Sequence, residues 1–239
     1  MAGFWSPIWF FITSFSRRIS SILPLRNQPV VAAPVEWEEE WKTLTVRRGF
    51  QGIESNLDEF KPHGLHLEQL SIPGAIFLNL LDMRKVSRIS DRISRVNYDG
   101  ETWILKIARF RHEIPALQEE VSIYSTLTAS AFPLAPKFIG FVYEETKART
   151  VGFLMEEILG ETPDIHNLKD CVETVRLLHT FGIVHGDLNK YNFLMTEHGA
   201  KIFDFEASAA EGEVDPTAAE EELKALASKL ADESGIGKR

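Results

Sequence analysis

The chain has 239 residues, of which 44% are hydrophobic, which suits one domain or one two-lobed unit with a sizeable core. Its net charge of -9 argues against general nucleic-acid binding, which requires a basic surface, so no nucleic-acid partner is expected. The single cysteine, Cys171, excludes an internal disulfide and is compatible with a reducing compartment, so we expect an intracellular, cytoplasmic protein.

Residues 1–35 read as an aromatic and basic tail with a linker. The run GFWSPIWFFITSF is followed at once by Arg17 and Arg18. The run is shorter than the roughly 20 apolar residues of a spanning helix, and charges that follow it do not fit a secretory signal. Aromatic residues beside arginine suit a peripheral membrane contact through residues 1–30. A loosely docked tail is the alternative interpretation.

Residues 36–83 read as an N-terminal extension. The acidic segment EWEEEWK places Trp37 and Trp41 one turn apart and predicts a short helix. Residues 44–50 alternate weakly and predict a strand. Prolines and glycines interrupt residues 57–81, so only short pieces are expected there.

Residues 84–158 predict a small sheet lobe with one helix. Alternating residues indicate strands at 86–89, 93–96 and 101–107, with a hairpin turn at Asp99-Gly100. Lys106 interrupts the last of these strands, and a lysine there is costly unless it is paired. The alternative is a surface lysine whose stem lies along the sheet.

A helical stripe at residues 113–128 predicts the helix of this lobe. Glu120 shares a face with Leu117 and Tyr124, which makes it the preferred partner for Lys106. Its neighbour Glu119 is the competing choice. Two further apolar strands are predicted at residues 137–144 and 150–158.

Residues 159–239 predict a mostly helical region around a polar turn. A helix over residues 168–179 leads to the stretch IVHGDLNKYNFL, which carries His185, Asp187 and Asn192. A short strand then ends on Asp204. Phosphoryl transfer to a hydroxyl uses such a set: one carboxylate orients the acceptor, and an amide oxygen and a second carboxylate hold the metal. A final helix is predicted after Asp215, which suits an N-cap.

The motif His-Gly-Asp-Leu-x-x-x-Asn, followed by Asp-Phe, resembles the protein kinase superfamily. Its His-Gly-Asp form is similar to RIO-type atypical kinases, to aminoglycoside and choline kinase-like phosphotransferases and to small fungal kinase-like proteins. The resemblance implies an α+β, bilobal protein kinase-like fold, with a small antiparallel-sheet N-lobe and a reduced helical C-lobe. It also implies that Asp187 is catalytic, that His185 braces the turn, and that Asn192 and Asp204 bind a metal.

The same resemblance implies ATP and Mg²⁺ as cofactors. Lys106 would contact the nucleotide phosphates, with Glu120 as its partner. Met155 would narrow the back of the pocket, and Glu156 and Ile158 would meet the adenine edge along a hinge. Met155 as simple core filler is the alternative.

Three departures from the family pattern bear on activity. The hairpin at residues 89–93 has no glycine, although backbone amides of a glycine-rich loop approach the phosphates in protein kinases. An acid in that hairpin, Asp91, would repel phosphate unless an arginine pairs with it. Glu206 replaces the glycine that usually follows Asp-Phe, and Lys190 lies three positions after Asp187 where conventional kinases place a lysine at two.

The sequence therefore predicts an ATP-dependent phosphotransferase of the atypical protein kinase-like type. The acceptor would be a protein serine or threonine, or a small hydroxylated molecule. A pseudokinase or regulatory binding module, and an ATPase that works within an assembly, are the two alternatives.

Overall fold

The computed structural model describes residues 44–49, 52–57, 63–210, 216–235 and 237. The chain divides into two compact units, residues 1–62 and 63–239. The predicted membrane contact through residues 1–30 and the predicted helix at residues 36–42 lie outside the described residues, as does the predicted N-cap Asp215. In the described part of the chain, no helix combines the length and apolar character needed to cross a bilayer.

In the first unit, the described residues form one hairpin. Strand β1 (Leu44–Gly49) pairs antiparallel with β2 (Gly52–Leu57). The predicted strand at residues 44–50 is thus confirmed. Its partner was not predicted, because the sequence GIESNL lacks a clear apolar alternation.

The second unit begins with a six-stranded sheet. Its strands are β3 (Ile76–Asn79), β4 (Arg84–Arg88), β5 (Ile93–Tyr98), β6 (Glu101–Ile107), β7 (Phe138–Tyr143) and β8 (Thr150–Glu156). Their order is β3-β7-β8-β6-β5-β4. The five strands from β4 onward form antiparallel pairs with one another, as predicted. Strand β3 was not predicted and pairs parallel with β7 at the edge, so a strand of the predicted extension 36–83 joins this sheet.

One helix covers the inner face of the sheet. Helix α1 (Ile114–Ala129) has proline in its first turn, where the missing N–H is tolerated. Leu117, Val121 and Tyr124 are fully buried, so the predicted apolar stripe faces the main core. Burial of these side chains is what fixes the rotation of α1 over the sheet.

The remaining elements form a reduced lobe around a second part of the same core. They are helix α2 (Leu168–Thr180), the hairpin of β9 (Phe193–Thr196) and β10 (Gly199–Ile202), and helix α3 (Pro216–Ala231). Cys171 is buried on α2. The Thr174 hydroxyl donates to the Ala200 carbonyl at 2.8 Å, which joins α2 to the hairpin. The chain leaves α2 through Gly182, with φ 75°.

Candidate active site

A buried lysine lies at the centre of the site. Lys106 is 2% exposed on β6, and its Nζ lies 2.5 Å from Glu120 Oε2 and 2.6 Å from Asp204 Oδ1. Glu206 Oε1 is a third neighbour at 3.1 Å. A buried ammonium requires such anionic partners, since leaving it unpaired would cost several kcal/mol or more. The alternative of a lysine stem lying along the surface is therefore wrong.

Glu120 connects three elements of the chain. Its side chain is fully buried, whereas the competing Glu119 is exposed. Besides the ion pair with Lys106, Glu120 Oε1 accepts a hydrogen bond from the backbone N–H of Phe205 at 3.3 Å. Glu120 thus ties α1 to both β6 and the segment that follows β10.

The segment after β10 adopts an unusual backbone conformation. Asp204 has φ 71°, a value that a residue with a side chain seldom adopts and that is typical of functional sites. The Phe205 ring is fully buried, with its centroid 5.6 Å from Tyr124 and 5.5 Å from His185. Burial and the nearby Glu120 charge raise the pKa of Tyr124 well above its usual value. The phenol stays neutral, and its hydroxyl lies 3.3 Å from Met155 Sδ.

His185 braces the polar turn from within the core. Its Nδ1 accepts from the backbone N–H of Asp187 at 3.4 Å, and its Nε2 lies 3.1 Å from the Phe203 carbonyl. This pattern assigns the proton to Nε2, which donates to Phe203. Burial lowers the pKa of His185, which favours this neutral form.

Gly186 is required by the shape of the turn. Its φ is 80°, and a Cβ built there would overlap with the carbonyl oxygen of Ala207. Only glycine satisfies both conditions without strain or displacement. The glycine between His185 and Asp187 therefore has a local structural cause.

Asn192 and Asp187 are joined to the lysine cluster through the main chain. Asn192 Nδ2 donates to the Asp187 carbonyl at 2.8 Å, and its own carbonyl accepts from Phe203 N–H at 3.1 Å. Asn192 is buried, and this arrangement leaves its amide oxygen as the side-chain atom suited to a cation. The Asp187 side chain is exposed and lines a cavity of about 260 Å³ beside α3.

Sequence reasoning missed Glu222, which holds the turn from α3. Its Oε1 accepts from Gly186 N–H at 2.8 Å, and its Oε2 lies 3.3 Å from His185 N and 2.7 Å from His179 Nε2. Burial alone would raise the pKa of Glu222, but these hydrogen bonds outweigh burial and lower it. The residue looks like one of several surface acids in the sequence TAAEEELKAL, so only its position facing the turn distinguishes it.

A second cavity, of about 240 Å³, adjoins the lysine cluster. Its lining contains all three residues predicted for the adenine pocket, Met155, Glu156 and Ile158. Ile104 also lines it, two positions before Lys106 and so on the same face of β6. The other lining residues are Ile89, Ile93, Arg95, Pro136, Glu157, Leu194 and Phe203. An apolar cavity of this kind suits a flat aromatic ring system.

Comparison with known protein families matches residues 142–223 to the RIO domain. Over this segment the chain is similar to the RIO domain. The match covers about a third of the chain and runs from β7 into α3, so it includes Asp187, Asn192 and Asp204. It confirms the predicted resemblance to RIO-type kinases and, with the six-stranded sheet, the kinase-like fold. No curated protein matches the chain.

The similarity to the RIO domain suggests use of ATP and a divalent metal, and the site contains side chains that would suit a metal. Carboxylate and amide oxygens, as on Asp204 and Asn192, are ligands that Mg²⁺ prefers. Oxygen atoms of Glu120, Asp204 and Glu206 also lie within 4.8 Å of one another, but the ammonium of Lys106 contacts all three side chains. The lysine accounts for that cluster, and Asn192 and Asp204 carry the oxygen atoms that would hold a metal.

Proposed function

We propose that the protein is an ATP-dependent phosphotransferase that uses Mg²⁺ and acts on a hydroxyl group of a protein or a small molecule. The similarity to the RIO domain supports an atypical kinase-like, ATP-binding function at the coarser level. The observation that carries the finer proposal is Lys106, which is buried and held by Glu120 and Asp204. Such a paired lysine beside an apolar cavity is what binding of a nucleotide phosphate requires.

Each residue then has a role that follows from its position. Bound MgATP supplies the phosphoryl group. Asp187 would orient the acceptor hydroxyl and take its proton, because its side chain is exposed at the turn that Asn192 joins to the segment before Asp204. Asn192 and Asp204 would hold the metal, and Lys106 would neutralise charge on the phosphates.

The hinge residues position the adenine ring. Strand β8 ends at Glu156, and residues 156–158 line the cavity, so this stretch would lie along the edge of a bound ring. Met155 lines the back of the cavity beside Ile104. Positioning of this kind accounts for much of the catalysis in phosphoryl transfer, because little covalent chemistry falls to the protein.

A binding module without catalysis is the second candidate. The observation in its favour is Glu206, whose carboxylate lies 3.1 Å from Lys106 and adds negative charge where phosphate would bind. An ATPase within an assembly is the remaining alternative. It would consume ATP without forming a phosphorylated acceptor, which a phosphate-release assay separates from phosphotransfer.

Thermal unfolding with and without MgATP tests the proposal. At a ligand concentration of 100 times Kd, the parent should gain about 2.7 kcal/mol of stability. Asp204→Asn should lose this gain, because it removes a metal ligand and the ion pair with Lys106. Each variant is compared with its own ligand-free sample, and Asp82→Asn, on an exposed acid, is the matched control. No gain in the parent would contradict the proposal.

A further inference from the structure

The carboxylate of Glu206 lies between two cations. Arg92 Nη2 is 2.7 Å from Glu206 Oε1, and Arg92 Nη1 is 3.1 Å from Oε2. Lys106 Nζ is 3.1 Å from the same Oε1. A guanidinium fork that meets both carboxylate oxygens is a strong, directional contact, and phosphate oxygens fit the same fork.

Arg92 is held in place independently of Glu206. Its carbonyl accepts from Ile107 N–H at 3.0 Å, and its side-chain Nε donates to the Ile107 carbonyl at 3.1 Å. Both contacts fix it to β6, one position beyond Lys106. We therefore expect the Arg92 guanidinium to keep its position when Glu206 is substituted.

The glycine-free hairpin makes this arginine informative. Its acid, Asp91, pairs with Arg88 and with Arg109, the latter at 3.1 Å, so the expected repulsion of phosphate is reduced. Arg92 is not used for that purpose and instead meets Glu206, which also contacts Lys106. Where backbone amides of glycine residues are lacking, a guanidinium is the group that can replace them as phosphate donors.

We propose that Arg92 is a phosphate-binding residue that acts with Lys106, and that Glu206 competes with phosphate for both cations. This inference rests on the proposed nucleotide site and adds a specificity-determining pair to it. Phosphate groups placed beside Glu206 would meet a like charge, so Glu206 weakens their binding. Removal of either partner breaks the same ion pair, yet the two removals have opposite effects on phosphate binding.

Titration calorimetry with MgATP, adenosine and inorganic tripolyphosphate tests the pair. Arg92→Gln should weaken MgATP and tripolyphosphate binding roughly tenfold or more, and leave adenosine affinity unchanged. Glu206→Gln should strengthen both phosphate ligands by a similar factor. Arg84→Gln is the matched control, because it removes the same charge at an exposed position at the start of β4, away from the hairpin.

The outcomes separate this inference from the proposed function. Weakening in both variants, or a change in neither, would mean that the pair is only structural and would overturn the inference. Failure of the parent to bind MgATP would overturn the proposed function, while tripolyphosphate still reports on Arg92. If tripolyphosphate binds neither the parent nor Glu206→Gln, the inference fails. Should Arg92→Gln not fold, Arg92→Lys keeps the charge, loses the fork, and should still bind more weakly than the parent.

Discussion

Gly186 and Asp204 are the two residues at which the site depends on a backbone with positive φ. Gly186 adopts φ 80° without a side chain to strain, whereas Asp204 reaches φ 71° with its carboxylate engaged by Lys106. Conformations of this kind persist only where surrounding contacts enforce them. In the case of Gly186, those contacts are the Glu222 carboxylate and the nearby Ala207 carbonyl.

Substitution of Gly186 by alanine should be costly. Positive φ costs a residue with a Cβ about 1–2 kcal/mol, and the overlap with Ala207 O adds about 1–3 kcal/mol. Urea unfolding measures the loss. Gly100→Ala is the matched control, since φ there is 83° and a Cβ would meet nothing within 4 Å. Equal losses in the two variants would show that the overlap has no energetic effect.

At the scale of elements, helix α3 supports the polar turn. Glu222 reaches from its second turn to the backbone of His185 and Gly186 and to the His179 side chain on α2. Three donors on one carboxylate order both helices around the turn. One acid on α3 thus holds both the polar turn and α2.

Glu222→Gln should destabilise the protein by about 1–3 kcal/mol. The hydrogen bonds to a charged acceptor are lost, and the NH₂ group of the glutamine would face N–H donors that the carboxylate accepted from. Chemical denaturation gives the difference in unfolding free energy. The neighbouring Glu221→Gln removes the same charge at an exposed position and should change stability by no more than about 0.5 kcal/mol. A cost in Glu221→Gln equal to that in Glu222→Gln would refute the specific role of Glu222.

Elements with local signals could be predicted from the sequence, and contacts between distant elements could not. Lys106, Glu120 and the polar turn each carry a motif or a helical or strand period, so their types and order followed from the residues. Strand β3 is only four residues long and was missed. Arg92 and Glu206 are 114 positions apart in the sequence. Hydrophobic periodicity predicts local elements, so it cannot predict a contact between residues so far apart.

At the scale of the whole molecule, buried titratable groups define a pH range of stability. The ordinary pKa of histidine is 6.5, and burial lowers it at His185, so the unfolded chain binds a proton there before the folded chain does. Burial raises the pKa of the Cys171 thiol from 9.0 to about 12, so the unfolded chain loses that proton first. Stability contributed by His185 is therefore complete above pH 6.5, and that of Cys171 is complete below pH 9.0.

The unfolding free energy should therefore fall on both sides of a plateau between pH 6.5 and 9.0. Each proton contributes a slope of at most about 1.4 kcal/mol per pH unit. Urea unfolding across pH 5 to 11, roughly two units either side of the plateau, measures it. Cys171→Ala should move the alkaline onset towards the ordinary tyrosine value of 10.0, because Tyr124 then becomes the next group to titrate. An unchanged onset would exclude the thiol as its cause.

The burial of Phe205 has a mechanical consequence for regulation. The backbone N–H of Phe205 is held by Glu120, and its ring packs on Tyr124 from the same helix. Swinging α1 outward would separate Glu120 from Lys106 and also uncover an aromatic ring, at a cost of about 2 kcal/mol for the ring alone. The two lobes thus share one anchor, which favours a fixed arrangement of α1 over a switchable one.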